Sequence, residues 1–195
     1  MGYGLKNNME EEISTFKDIA TVDSSISELV RKWRNSEDVR KYMYIDHTIT
    51  KEEHDRWLNS LIGKKDRKTW VVYSDKYPVG IAQLSYIDFD NKNAEWGVYI
   101  GDNHFRGIGL GSRILITLIN YVFDEIKFNR MHTRVLANNS SALKLYEKLG
   151  FQKEGILRKH LYRDGEYLDI VIMGILKEEW NAIKAGFTSN KVIIE

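Results

Sequence analysis

A mixed α/β fold in a single domain is the class this sequence predicts, and three observations predict it. Apolar residues recur at helical spacing between Ile26 and Ile62, at a period of two from Thr69 to Ile100, and then in the order helix, strand, helix before a closing hairpin. Three glycines at alternate positions, Gly107, Gly109 and Gly111, separate a strand from a long helix. The length of 195 residues suits one sizeable core. The expected architecture is a mostly antiparallel central sheet with one parallel pair beside the glycines and helices on both faces.

Residues 1–12 are polar and unpatterned and read as a flexible tail, and a first strand over 13–19 opens a domain expected to span 13–186. Ser25 and Glu28 have capping-box spacing, and Ile26, Leu29, Val30 and Trp33 form the apolar face of the helix that follows. Thr50 and Glu53 repeat the signal ahead of Trp57, Leu58, Leu61 and Ile62, and Gly63 stops that helix. Tyr42, Met43 and Tyr44 lie between the two. Strands follow at 70–74 and 81–87, with turn chemistry in Tyr77-Pro78-Val79-Gly80 and again at 90–93. In the next strand Ala94, Trp96, Val98 and Ile100 share one face, so Glu95 and Tyr99 project together from the other. Beyond the glycines, Ile114, Leu115, Leu118, Val122 and Ile126 mark a helix long enough to cover the sheet. The strand at 131–136 should run parallel to its predecessor, because a helix separates them. A short helix capped within 138–141 carries Ala142, Leu145, Tyr146 and Leu149; a hairpin over 151–176 turns at 163–166. A last helix over 177–185 precedes a tail at 187–195.

With no cysteine, disulfides, thiolate metal sites and a cysteine nucleophile are excluded, and a reducing compartment fits. There is no apolar leader and no run long enough to span a membrane, so a cytoplasmic protein is expected. A net charge of +1 gives no pull toward nucleic acid or membrane. Between Arg31 and Lys68, however, eleven Lys/Arg face seven Asp/Glu. That is either a solvated face or, as residues 34–68 would then be, a lobe receiving an anionic acceptor. No H-x-x-x-H or carboxylate–histidine cluster appears, so metal catalysis is not expected.

The glycine run reads as a phosphate cradle, with helix-end amides behind it and the charge of Arg106 at its mouth. By spacing alone it is equally a structural cap. Neither a dinucleotide G-x-G-x-x-G nor a G-K-[ST] loop can be drawn through it. What remains is R-x-x-G-x-G, Arg106 to Gly111, after the strand EWGVYI. A second motif, NSSALKLYEKLGF from Asn139 to Phe151, follows at the matching distance. Together they resemble the GNAT-type N-acetyltransferases. The resemblance implies acetyl-CoA as cosubstrate, held by Tyr99, Ile100, Arg106, Gly107, Ile108, Gly109, Gly111, Ser112 and Asn139, with the pantetheine arm in a gap between splayed parallel strands. It also implies Tyr146 as general acid, although spacing alone makes Tyr146 part of a core-facing helix stripe. Glu95 matches a glutamate that many members place over the acceptor, where it would take the amine proton, with His47 or His54 as substitutes. The C-terminal half is similar to the branch holding ribosomal-protein, spermidine and amino-sugar acetyltransferases. Within it, the runs WRN, KYMY, ITKEEHDRWL, PVG, NKNAEWGVYIG and EGILRKH make the chain most similar to those of pseudaminic acid biosynthesis that act on a UDP-4-amino sugar. That likeness implies Arg34 and His54 on the diphosphate, and Met43, Tyr44 and Trp57 beneath the uracil. A protein N-terminus, a lysine or a small polyamine is the alternative acceptor. The expected partner is a small molecule, with homodimer formation left open.

Overall fold

The computed structural model describes residues 13–187 and 192–195, so the tail read into residues 1–12 lies outside the described residues. Strand β1 (Ile13–Asp18) leads into α1 (Ser24–Asn35). The cap of α1 is Asp23 rather than Ser25: its carboxylate accepts from the amides of Ser25 at 2.9 Å and Ile26 at 3.2 Å. A charged acceptor at the positive helix end outcompetes a hydroxyl. Glu28, freed from capping, grips Arg31 at 2.8 and 2.7 Å. After the single turn α2 (Glu37–Arg40), α3 (Lys51–Leu61) opens with the predicted box, Glu53 N to Thr50 Oγ1 at 3.2 Å and Thr50 N to Glu53 Oε2 at 2.8 Å. Ile62 does not join its apolar face; the helix has ended and the side chain is 68% exposed.

Strands β2 (Lys68–Ser74), β3 (Tyr77–Asp88) and β4 (Asn93–Ile100) form the antiparallel meander. The first turn is Asp75-Lys76, and the Tyr77-Pro78-Val79-Gly80 stretch predicted as a turn begins β3. Pro78 is tolerated there because the ladder shifts register between Val72 and Tyr73, opposite it. Helix α4 (Leu110–Asn120) runs into a π turn, Tyr121–Glu125, in which the Ile126 amide reaches back to the Tyr121 carbonyl at 2.9 Å. Then come β5 (Arg130–Leu136), α5 (Ser140–Lys148), the hairpin β6 (Gln152–Arg163) and β7 (Glu166–Leu176), α6 (Lys177–Ile183) and β8 (Ile193–Ile194). The sheet order is β6-β7-β5-β4-β3-β2-β1-β8. Only β4–β5 and β1–β8 are parallel among the described strands.

Of the predicted tail at 187–195, the described residues 187 and 192–195 pack onto the fold. Ile193 and Ile194 pair with Thr15 and Phe16, the Trp70 indole donates to the Glu195 carbonyl at 2.9 Å, and Phe187 stacks on Trp180. Two strand residues carry no detectable period. The main core lies between the sheet and α4, α5 and α6; a smaller one, Ile19, Val30, Trp33, Val71 and Ile81, lies on the other face beneath α1 and α3. Helices thus cover both faces.

Candidate active site

Strands β4 and β5 are paired only from Asn93 to Glu95 and from Arg130 to His132. Past that point they part, so Trp96 to Ile100 have a partner strand, β3, on one side only. Glu95 stands at the fork. The backbone of Tyr99 turns toward β3, with its carbonyl beside Gly80, and alternation then aims Ile100 into the gap. Of the Tyr99 and Ile100 amides, only that of Ile100 faces the gap.

The glycine loop closes the wide end of the fork. Gly107 and Gly109 have φ of +79° and +84°, values that side chains disfavour, and no atom lies within 4 Å of where their Cβ would stand. Gly111 differs: its backbone is ordinary, and a Cβ would meet only Ile100 and Leu145 at 3.8 and 3.9 Å. The fold therefore needs glycine at 107 and 109 but not at 111. The first amide bonded into the helix is that of Arg113, to Gly109 O at 3.2 Å, which leaves the amides of Leu110, Gly111 and Ser112 without backbone partners among the described residues. Arg106 does not point freely at the mouth. Its guanidinium donates to the Ile100 carbonyl at 3.3 and 2.9 Å and pairs with Asp38 at 3.2 Å, so it braces the loop. Ile108, 45% exposed, and Ser112 lie on the loop and first turn beside these amides.

On α5 the Asn139 side-chain oxygen caps the helix, accepting from the Ala142 amide at 3.2 Å and the Ser141 hydroxyl at 3.1 Å. Only its NH₂ is left for a ligand. Two turns on, the Tyr146 ring meets Trp96, the first β4 residue past the fork, edge-on at 4.8 Å. Burial pushes the phenol up to about 12. Its hydroxyl makes no hydrogen bond among the described residues, so a proton is held there and not committed elsewhere.

On the opposite face Glu95 is gripped by Arg134, Nε to Oε1 and Nη2 to Oε2 at 3.0 Å each, with the carboxylate side chain 13% exposed. The Arg134 guanidinium lies between the rings of Tyr44 and Tyr86, 5.8 and 5.9 Å from their centroids. His47 is bound to Glu53 at 3.1 Å, on the cap of α3. His54 is 4% exposed between α1 and α3, bonded to Ser27 Oγ at 3.1 Å with its ring 5.3 Å from that of Trp57, and burial lowers its pKa. That setting suits a neutral packing imidazole rather than a phosphate ligand. Trp57 packs into the smaller core. Arg34 is the reverse case. Its Nη1 is buried, and among the described residues its guanidinium has neither a hydrogen-bond acceptor nor a carboxylate. Burial lowers its pKa, the neighbouring Tyr99 opposes this, and the charge of Arg163 lowers it further. It stays cationic, as arginine does in proteins. Met43 stands in the loop between α2 and α3, half-buried beside Tyr44.

Residues 25–172 match the acetyltransferase (GNAT) domain family. The chain belongs to that family. An uncharacterized N-acetyltransferase, p20, of Bacillus licheniformis is 33% identical over 157 residues, covering 78% of this chain and 87% of its own. Acetyltransferase PseH of Campylobacter jejuni is 32% identical over 139 residues, covering 69% and 82%. A crystal structure of spermidine N-acetyltransferase from Vibrio cholerae in complex with CoA and spermine aligns with a TM-score of 0.78 at 21% identity, over 86% of this chain and 97% of that one. The protein is therefore an acetyl-CoA-dependent N-acetyltransferase.

In this GNAT enzyme the free amides of 110–112, the bare Gly111 and the open fork fit a diphosphate followed by an extended arm. Two substitutions separate fold from ligand. Gly109→Ala places a Cβ at positive φ and should cost about 1–2 kcal/mol, lowering the melting temperature by several degrees. Gly111→Ala should leave the melting temperature unchanged and weaken acetyl-CoA binding; thermal melts with and without acetyl-CoA read both. Among the described residues no cluster of three or more His, Asp or Glu is placed to hold a metal ion. No helix among them is long and apolar enough to cross a membrane.

Proposed function

We propose that the enzyme acetylates the amino group of a nucleotide-diphosphate sugar, of the UDP-4-amino-sugar type used for pseudaminic acid. The observation that carries this reading is the unpartnered Arg34 guanidinium in the acceptor lobe, with a second cation, Arg163, nearby. A desolvated arginine without a counter-ion gains most from an anionic ligand, and its planar fork suits phosphate oxygens. A polyamine would instead need free carboxylates. Glu95 at the fork is occupied by Arg134, and Asp38 by Lys41, Asn103 and Arg106. The likeness to acetyltransferase PseH also supports the reading.

Bound acetyl-CoA supplies a thioester; the protein supplies the proton handling. Glu95, gripped by Arg134 at the fork, takes the proton the acceptor ammonium must lose, through water if Arg134 keeps its grip. As the N–C bond forms and the C–S bond breaks, the Tyr146 hydroxyl donates its proton toward the leaving sulfur. The Ile100 amide offers a donor to the acyl oxygen. Met43 and Tyr44 give the base an apolar and aromatic bed.

The test is a thermal-shift panel with acetyl-CoA, then acetyl-CoA plus UDP, UMP, spermidine or a lysine peptide. A second rise with UDP is expected, since selective binding stabilises the native state. A rise with spermidine or peptide and none with UDP would move the acceptor to a polyamine or protein amine.

A further inference from the structure

We infer that Arg163 is a positioning residue of the acceptor site, a strap from the tip of the β6–β7 hairpin that holds residues 41–46 in the shape the acceptor meets. The inference rests on the reading above, which puts Met43 and Tyr44 in that site. Arg163 ends β6, and its side chain is only 8% exposed. Nη1 donates to the Lys41 carbonyl at 2.7 Å, and Nη2 donates to the Met43 carbonyl. Asp46 stands 3.9 Å from Nε, too far for a hydrogen bond, and Nε is buried without a partner.

Apart from the strap, side chains hold this loop and the two residues after it through Tyr44 on Arg134, His47 on Glu53 and Thr48 on Arg40 among the described residues. The Tyr42 and Met43 amides bond to Val39 and Arg40 carbonyls, but residues 44–48 make no backbone–backbone hydrogen bond among the described residues. Two carbonyls two residues apart match the parallel donors of a guanidinium, whereas an ammonium is a single point. By fixing Met43 O the strap fixes the residue after it, Tyr44, whose ring lies over Arg134 and so over the partner of Glu95. Acceptor bed and carboxylate are thus set by one side chain encoded far from both.

The test compares Arg163→Met and Arg163→Lys with the native enzyme. Amide exchange across 41–46 should quicken at least tenfold in both, with α3 and β4 unchanged. UDP, as probe of the acceptor site, should bind at least tenfold more weakly, while acetyl-CoA affinity by calorimetry stays within twofold. Unchanged exchange overturns the strap. So does faster exchange with unaltered UDP affinity, or full rescue by lysine, which would mean that charge alone acts. If Arg163→Met fails to fold, Arg163→Lys carries the comparison. If the native enzyme ignores UDP, the nucleotide reading fails by itself. The strap is then judged by exchange together with the KM of whichever amine the panel identified, set against that of acetyl-CoA.

Discussion

Tyr146→Phe should bind acetyl-CoA as tightly as the native enzyme and lose about 10²–10⁴-fold in kcat, the usual contribution of a positioned general acid. The variant is clean for a structural reason. The hydroxyl has no hydrogen-bond partner among the described residues, so deleting it orphans nothing, and the edge-on contact with Trp96 survives in phenylalanine. Calorimetry with acetyl-CoA and a thiol-release assay read the two halves of the prediction. A loss of only a few fold would give the proton to water instead. Burial also sets the pH behaviour: the phenol titrates at about 12 in place of 10.0, so this group adds no alkaline decline to the rate below pH 10. Because the folded pKa is raised, the stability linked to this proton is intact below pH 10 and declines as pH rises toward 12. An alkaline melting series should show a smaller loss in the variant than in the native enzyme; the remainder belongs to Tyr44, Tyr73 and Tyr99, whose pKa values burial also raises.

Arg34→Ala should raise the acceptor KM by about 10–150-fold, corresponding to the 1.5–3 kcal/mol of a charge-assisted hydrogen bond, and leave the KM of acetyl-CoA unchanged. It should also make the ligand-free protein no less stable, and even raise its melting temperature. The native guanidinium is desolvated, has no counter-ion and sits near the like charge of Arg163, so its removal relieves a cost. A residue serving only the fold would show the opposite sign. Equal changes in both KM values would remove Arg34 from the acceptor side.

Much of the cofactor half of the site was legible because it is local. The glycine loop, the α4 start and the Asn139-to-Tyr146 helix each lie within one stretch, and the β4 alternation correctly separated Trp96 from Glu95. The acceptor half depends on register between elements. Arg134 could have been found: Met131, Thr133 and Val135 share the core face of β5, which leaves Arg134 on the same face as Glu95 once the strands are known to be parallel. Tyr86 could not, since its ring is aimed by a left-handed residue, φ +49°, in a β-bulge. Arg163 looked like turn chemistry because its partners are the carbonyls of Lys41 and Met43, which no side-chain pattern reports. Ser25 misled as a cap because Asp23, two residues earlier, is the stronger acceptor.

The contact between Arg163 and Lys41 joins positions 122 apart in the chain. Closing so long a loop costs entropy, and here it cannot happen before β6 and β7 have formed and β7 has docked on β5. During synthesis the acceptor lobe therefore leaves the ribosome among the first segments and takes its final form among the last. A nascent chain that stops short of the hairpin lacks Val171, Met173 and Ile175 of the main core as well as the strap, so the core behind the glycine loop and the loop at 41–46 reach their final form together.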